Sequence, residues 1–133
     1  VAFGELKQRQ SVVWGSAPFE RVADEIADVH DYLVAELAPQ AGETWLDVGT
    51  GTGGVAVRAA RAGATVTGSD LAPALIETAK RLAAEGGLEI RYEVGDAEQL
   101  PYADGSYDIR FVHGSSAPVD APREYLLILG TRR

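Results

Sequence analysis

Apolar residues along this chain recur in two different rhythms. Phe19, Val22, Ala23, Ile26, Ala27, Val29, Leu33, Val34 and Leu37 mostly fall three or four apart, the spacing of a helix with one buried face. Pro39 and Gly42 close that helix. TWLDV (44–48) reads as a short buried strand, GGVAVRAARA (53–62) as a helix ended by Gly63 in the C′ position, and ATVTG (64–68) as a second strand. Pro73 suits the first turn of another helix, whose apolar face is Leu75, Ile76, Ala79, Leu82 and Ala83 and which Gly86 and Gly87 stop. LEIRYEV (88–94) alternates, with Leu88, Ile90, Tyr92 and Val94 on one face, and predicts a sheet strand. PYADGSYD (101–108) is turn chemistry leading into a fourth strand, YDIRFVH (107–113). Residues 1–18 form a polar lead with an isolated Trp14 and a stop at Ala17-Pro18.

Strands alternating with helices imply right-handed crossovers and a parallel sheet. The expected fold is α/β: a Rossmann-like three-layer sandwich with sheet order 3-2-1-4 and a helix ahead of it, in one domain over residues 1–133. Ligands of such sheets lie at the carboxyl ends of the strands. Here those ends carry the loops 49–53, 70–71, 95–97 and 113–115, which should converge on one crevice.

Composition narrows the partners. The formal charge is −8 and Lys and Arg form no basic run, which argues against a nucleic-acid backbone as partner. Apolar residues make up 46%, enough for a packed core. There is no cysteine, which excludes disulfides, Cys-ligated metal and a thiol nucleophile, and no metal is implied. With no apolar run near ~18 residues and no signal-peptide core, no membrane span is expected and the location expected is cytoplasmic.

The densest chemical signal is LDVGTGTGG, Leu46 to Gly54, at a strand-to-helix turn. A phosphate-binding P-loop would need Gly-Lys-Ser/Thr at its end, and Val55 and Ala56 stand there instead. The dinucleotide pattern G-x-G-x-x-G is literally present as Gly49, Gly51 and Gly54, with Asp70 at the end of the second strand. Asp47, just ahead of the first glycine, would repel a pyrophosphate and would suit a ligand with an ammonium group.

LDVGTGTGG resembles the first motif of class I S-adenosylmethionine-dependent methyltransferases. VTGSDLAPALIETAK (66–80) and GDAEQLPYADGSYDI (95–109) are similar to that family's second and third segments. RQSVVWGSAPFERVA (9–23) resembles the lead of its type 11, ubiquinone/menaquinone-biosynthesis-like branch. The resemblance implies S-adenosylmethionine as cofactor and a small-molecule methyl acceptor. It would place Asp47 at the methionine ammonium and the loop Gly49, Thr50 and Gly51 along the methionine and ribose. Asp70 would meet the ribose hydroxyls, Leu71 the adenine face, Asp96 the adenine amino group, and the Ala97 N–H the ring. His113, at the end of the fourth strand, is expected to point into the same crevice. His30 lies in a helix rich in acids and is read as solvated surface.

The resemblance covers roughly residues 9 to 109 and fades beyond Asp108, where the family continues with further helices and strands that supply acceptor contacts. The tail 114–133 is atypical, and REYLLILG (123–130) reads as either a strand or a short helix. A truncated methyltransferase is one expectation. A non-catalytic cofactor-binding remnant or subunit and a NAD-binding oxidoreductase are the alternatives. Arg110 in the fourth strand would suit a sheet edge, which makes a homodimer through that edge or the tail a further expectation.

Overall fold

The computed structural model describes residues 3–104, 106–110 and 129–132, the strands at 108–110 and 129–132 by their backbone alone. Among the described residues, five helices and five strands follow in chain order: α1 (Gly4–Val13), α2 (Phe19–Glu25), α3 (Ala27–Leu37), β1 (Thr44–Val48), α4 (Gly54–Arg61), β2 (Thr65–Asp70), α5 (Pro73–Glu85), β3 (Arg91–Val94), β4 (Tyr107–Arg110) and β5 (Leu129–Arg132).

β1, β2 and β3 form the parallel sheet that the alternation of elements predicts. Their register aligns the strand ends. Val48 pairs with Ser69, and Asp70 pairs with Val94, so the chain leaves all three strands at one level, at Gly49, Leu71 and Gly95. α4 and α5 share one core with the sheet, built on Trp45, Val66 and Tyr92 from the strands and on Val55, Ala56, Ala59, Ile76, Ala79 and Ala83 from the helices. Trp45 is almost fully buried, its ring N–H donating to Glu43 at 2.9 Å. Alanines on α4 and α5 let both helix backbones approach the sheet closely, so the large aromatic side chains of β1 and β3 fill the space between.

The sheet order corrects the expected 3-2-1-4. It is β3-β2-β1-β5-β4, because β5 enters antiparallel between β1 and β4. Leu46 pairs with Gly130 on one side, and Gly130 pairs with Ile109 on the other. β4 therefore runs parallel to β1 without touching it. The fourth strand cannot occupy the place beside β1 because a strand from the atypical tail already satisfies that edge of β1.

Three boundaries also differ from the sequence pattern. The polar lead contains α1, a helix with no buried residue. Its GELKQRQ segment consists largely of good helix formers, so propensity sustains a helix that apolar spacing does not announce. The long apolar helix is divided at Ile26, whose backbone departs from helical geometry (φ −112°, ψ 17°). β3 begins at Arg91 and not at Leu88, because the Leu88 N–H still bonds the Ala83 carbonyl and completes the C-terminal turn of α5. Gly63 does adopt the left-handed conformation expected after α4, with φ 96°. His113, and residues 111–128 with it, lie outside the described residues.

Candidate functional site

The aligned strand ends open into a cleft of about 570 Å³. Its floor is the β1–α4 loop, Val48 to Thr52 with Gly54. One side carries Asp70 and Leu71 at the end of β2 and Gly95 to Glu98 after β3; the other carries Trp14, Phe19, Val22, Ala23, Ile26 and His30 from the N-terminal helices. Of the expected site residues, Gly49, Thr50, Gly51, Asp70, Leu71, Asp96 and Ala97 all line this one space.

Asp70 is the best-defined of them. One carboxylate oxygen accepts the Gly51 N–H at 2.9 Å and the other accepts the Ala72 N–H at 2.9 Å. The bond to Gly51 requires the loop backbone to fold back over β2, and Gly51 does so with φ 58°, where a side chain would be strained. The Asp70 carbonyl also holds the Gly95 N–H at 2.9 Å, so this residue fixes all three loops. Each carboxylate oxygen has accepted one hydrogen bond and retains capacity for another.

Asp47 is placed differently. It is 3% exposed and lies under the glycine loop rather than on the cleft surface. Thr50 Oγ1 donates to it at 2.8 Å and the Ala56 N–H also bonds it. Burial raises its pKa to about 6, against those two hydrogen bonds, with the charge of Asp70 adding to the rise.

After β3, Asp96 accepts the Glu98 N–H at 3.0 Å and the Lys7 ammonium at 2.6 Å; Lys7 also pairs with Glu98. The Lys7 bond holds the Asp96 pKa below the ordinary carboxylate range, with help from the Glu98 N–H, and the Lys7 pKa is raised in return. Lys7 comes from α1, and no apolar pattern points to it. Its only sequence signal is a cation in an otherwise polar lead.

His30 is not the solvated surface residue that its acidic helix suggests. It is half-buried, lines the cleft, and sits against Gly54 so closely that a Cβ there would overlap the imidazole ring. Arg58 of α4 explains the approach. Its Nε pairs with Asp31 at 2.5 Å, one Nη donates to the Gly54 carbonyl at 2.9 Å and the other to the Ala27 carbonyl at 3.3 Å, clamping α3 onto the start of α4. Burial, and then the Arg58 charge, lower the His30 pKa. Both effects favour the neutral imidazole.

A twisted parallel sheet with a glycine-rich first loop, an acid ending the second strand and a cleft across the strand ends defines a cofactor-binding α/β domain of the Rossmann-like kind. Comparison with known proteins gives the family. The methyltransferase domain profile matches residues 46–126, and the chain belongs to the class I S-adenosylmethionine-dependent methyltransferases. That match continues past residue 109, beyond the point where the motif resemblance fades. An uncharacterized protein of Mycobacterium tuberculosis is 38% identical over 97 residues, which are 72% of this chain and 35% of that protein. Demethylmenaquinone methyltransferase of Thermus thermophilus is 43% identical over 78 residues, 57% of this chain and 34% of the enzyme. Among solved structures, geranyl diphosphate methyltransferase in complex with S-adenosylmethionine superposes with a TM-score of 0.54 at 32% identity, covering 59% of this chain and 34% of that one. The chain thus spans about a third of the length of these relatives. Among the described residues no helix is long and apolar enough to cross a membrane, and no group of His, Cys, Asp or Glu could hold a metal.

Proposed function

We propose that this chain binds S-adenosylmethionine in the described cleft and serves methyl transfer to a small molecule. The observation that carries this reading is Asp70: a carboxylate held by the Gly51 and Ala72 N–H groups at the cleft wall, with acceptor capacity on both oxygens. A ribose diol offers two donors at the spacing of one carboxylate. The cleft volume lies within the usual range of cofactor sites.

The chain's own residues divide the remaining work. Leu71 supplies an apolar face for the base, Asp96 an acceptor for its amino group, and the Ala97 N–H a donor to its ring. Gly49, Thr50 and Gly51 present backbone to the amino-acid portion. Asp47 acts from below. An ammonium group above the loop favours its charged form and draws its pKa back down. When bound, S-adenosylmethionine supplies an electrophilic methyl group on a cationic sulfur; the protein supplies position and exclusion of water. A nicotinamide dinucleotide fits less well, since its pyrophosphate would lie over Asp47.

Calorimetric titration with S-adenosylhomocysteine tests the reading, with NAD as control. Micromolar binding is expected for the intact chain. Asp70→Ala should weaken it by a factor on the order of 10 to 100, the loss of hydrogen bonds to a charged acceptor, while circular dichroism stays unchanged. Preference for NAD, or an affinity that ignores Asp70, would overturn it.

A further inference from the structure

The N-terminal helices do more than cover the cleft. Phe19, Val22, Ala23, Ile26 and His30 lie at steps of three or four residues, save for the adjacent Val22 and Ala23, on both sides of the break at Ile26, and all five line the cleft. Trp14 extends this face, its ring 5.3 Å from that of Phe19. Opposite stand the glycine loop, Asp70 and Asp96. The cleft therefore has a polar side, which the proposed cofactor occupies, and an apolar side that nothing in that cofactor requires. At the end of the apolar row, against Gly54 at the start of α4, comes the His30 imidazole.

We infer that this apolar side receives the methyl acceptor, an apolar molecule bearing a weakly acidic O–H or N–H, and that His30 is the base that takes its proton. The inference rests on the proposed cofactor site. His30 removes the proton as the acceptor's oxygen or nitrogen lone pair forms its bond to the methyl carbon. The carbon–sulfur bond breaks with its electron pair remaining on sulfur. The products are methylated acceptor, S-adenosylhomocysteine and an imidazolium that returns its proton to water.

Three features suit His30 to this. Its side chain has no hydrogen-bond partner among the described residues, so an imidazole nitrogen is available to a ligand. The charged groups acting on it are Asp28 and Asp31 from its own helix and Arg58 from α4; burial first, and then Arg58, lower its pKa against the two acids. A base must be unprotonated before the reaction, and the burial and charge around His30 favour that form. The clamp of Arg58 on Asp31 and on the Gly54 and Ala27 carbonyls fixes α3, and with it the imidazole, relative to the glycine loop.

The test needs no knowledge of the acceptor. S-adenosylmethionine and S-adenosylhomocysteine differ by a methyl group and by the positive charge on sulfur. A base placed at the transferred methyl must feel that charge. The chain has two histidines, so the His30 ring protons, assigned by their absence from the His30→Gln spectrum, are titrated by NMR in the unsubstituted chain, free and with each cofactor at saturation. The expected result is a pKa lower with S-adenosylmethionine than with S-adenosylhomocysteine by on the order of one unit, the Coulomb effect of a unit charge within about 8 Å. Equal pKa values in two saturated complexes would overturn the role of His30 and leave the cofactor reading standing. If neither cofactor binds, the cofactor reading falls, and this inference with it. His30→Gln should bind S-adenosylhomocysteine within about threefold of the parent; a larger loss would make His30 a cofactor ligand instead of the acceptor's base.

Discussion

Two buried ionisable side chains under the glycine loop set the chemistry at the scale of single residues. Asp47, with its pKa raised to about 6, binds a proton more readily folded than unfolded. Its contribution is therefore fully present below pH ~4, the ordinary carboxylate value, and is lost as pH rises through about 6. Urea unfolding at pH 4.5 and 7.5 should show a loss from this source of about 2 kcal/mol. Asp47→Asn should remove that slope, and an unchanged slope would show that Asp47 ionises freely. Tyr92 is the second group. Its hydroxyl is buried without a hydrogen-bond partner among the described residues, and it fills the space where a Cβ on Gly53 would go. Gly53→Ala, which also meets a φ of 88°, should cost about 2–4 kcal/mol. Tyr92→Phe should recover part of that loss in the double variant, since it deletes the colliding oxygen; simple additivity in a double-mutant cycle would refute the contact. The sequence marks Gly53 as one glycine of a motif. The reason for it, a tyrosine on another strand, depends on a pairing that no local pattern displays.

Elements differ in how plainly the chain declares them. α4, α5, β1 and β2 follow from apolar spacing, Pro73 and the stop glycines, because each buries a face against a shared core and so carries the periodicity of that burial. α1 buries nothing and carries no such signal. Even the long apolar row of α2 and α3 serves two purposes under one rhythm: Phe19 to His30 face the cleft, while Val34 and Leu37 pack into the core. Periodicity reports that a face is covered without saying whether protein or ligand covers it. α1 is tied to the cleft through Lys7 and its pairs with Asp96 and Glu98. Hydrogen exchange of the α1 amides should accelerate in 0.5 M salt, on the order of the ionic strengths that screen surface charges. Lys7→Met should show that faster exchange already at low salt. Equal protection in both would mean that other contacts hold α1.

The whole sheet depends on a strand that the family resemblance does not supply. β5 lies between β1 and β4, so each of its N–H groups faces a neighbour on one side or the other. Thr131→Pro should then cost about 3 kcal/mol or more in urea unfolding, as expected for a strand interior. A neutral result would place β5 elsewhere. The crevice itself was legible, since three loops at parallel strand ends follow from the order of elements alone. The sheet order was not, because REYLLILG is too short a run for spacing to separate strand from helix, and nothing in it names its partner.

That insertion also bears on how fast the molecule reaches its final form. β1 pairs with β2 after one short helix, yet its other side must wait for residues roughly 80 positions further along the chain, Leu129 joining Asp47. Closing so long a loop carries its entropy cost before any reward arrives. The glycine loop, which hangs from the end of β1, should accordingly acquire its rigidity late. Pulse-labelling of refolding chains would find β2, α5 and β3 protected first and the strand beneath the cleft last.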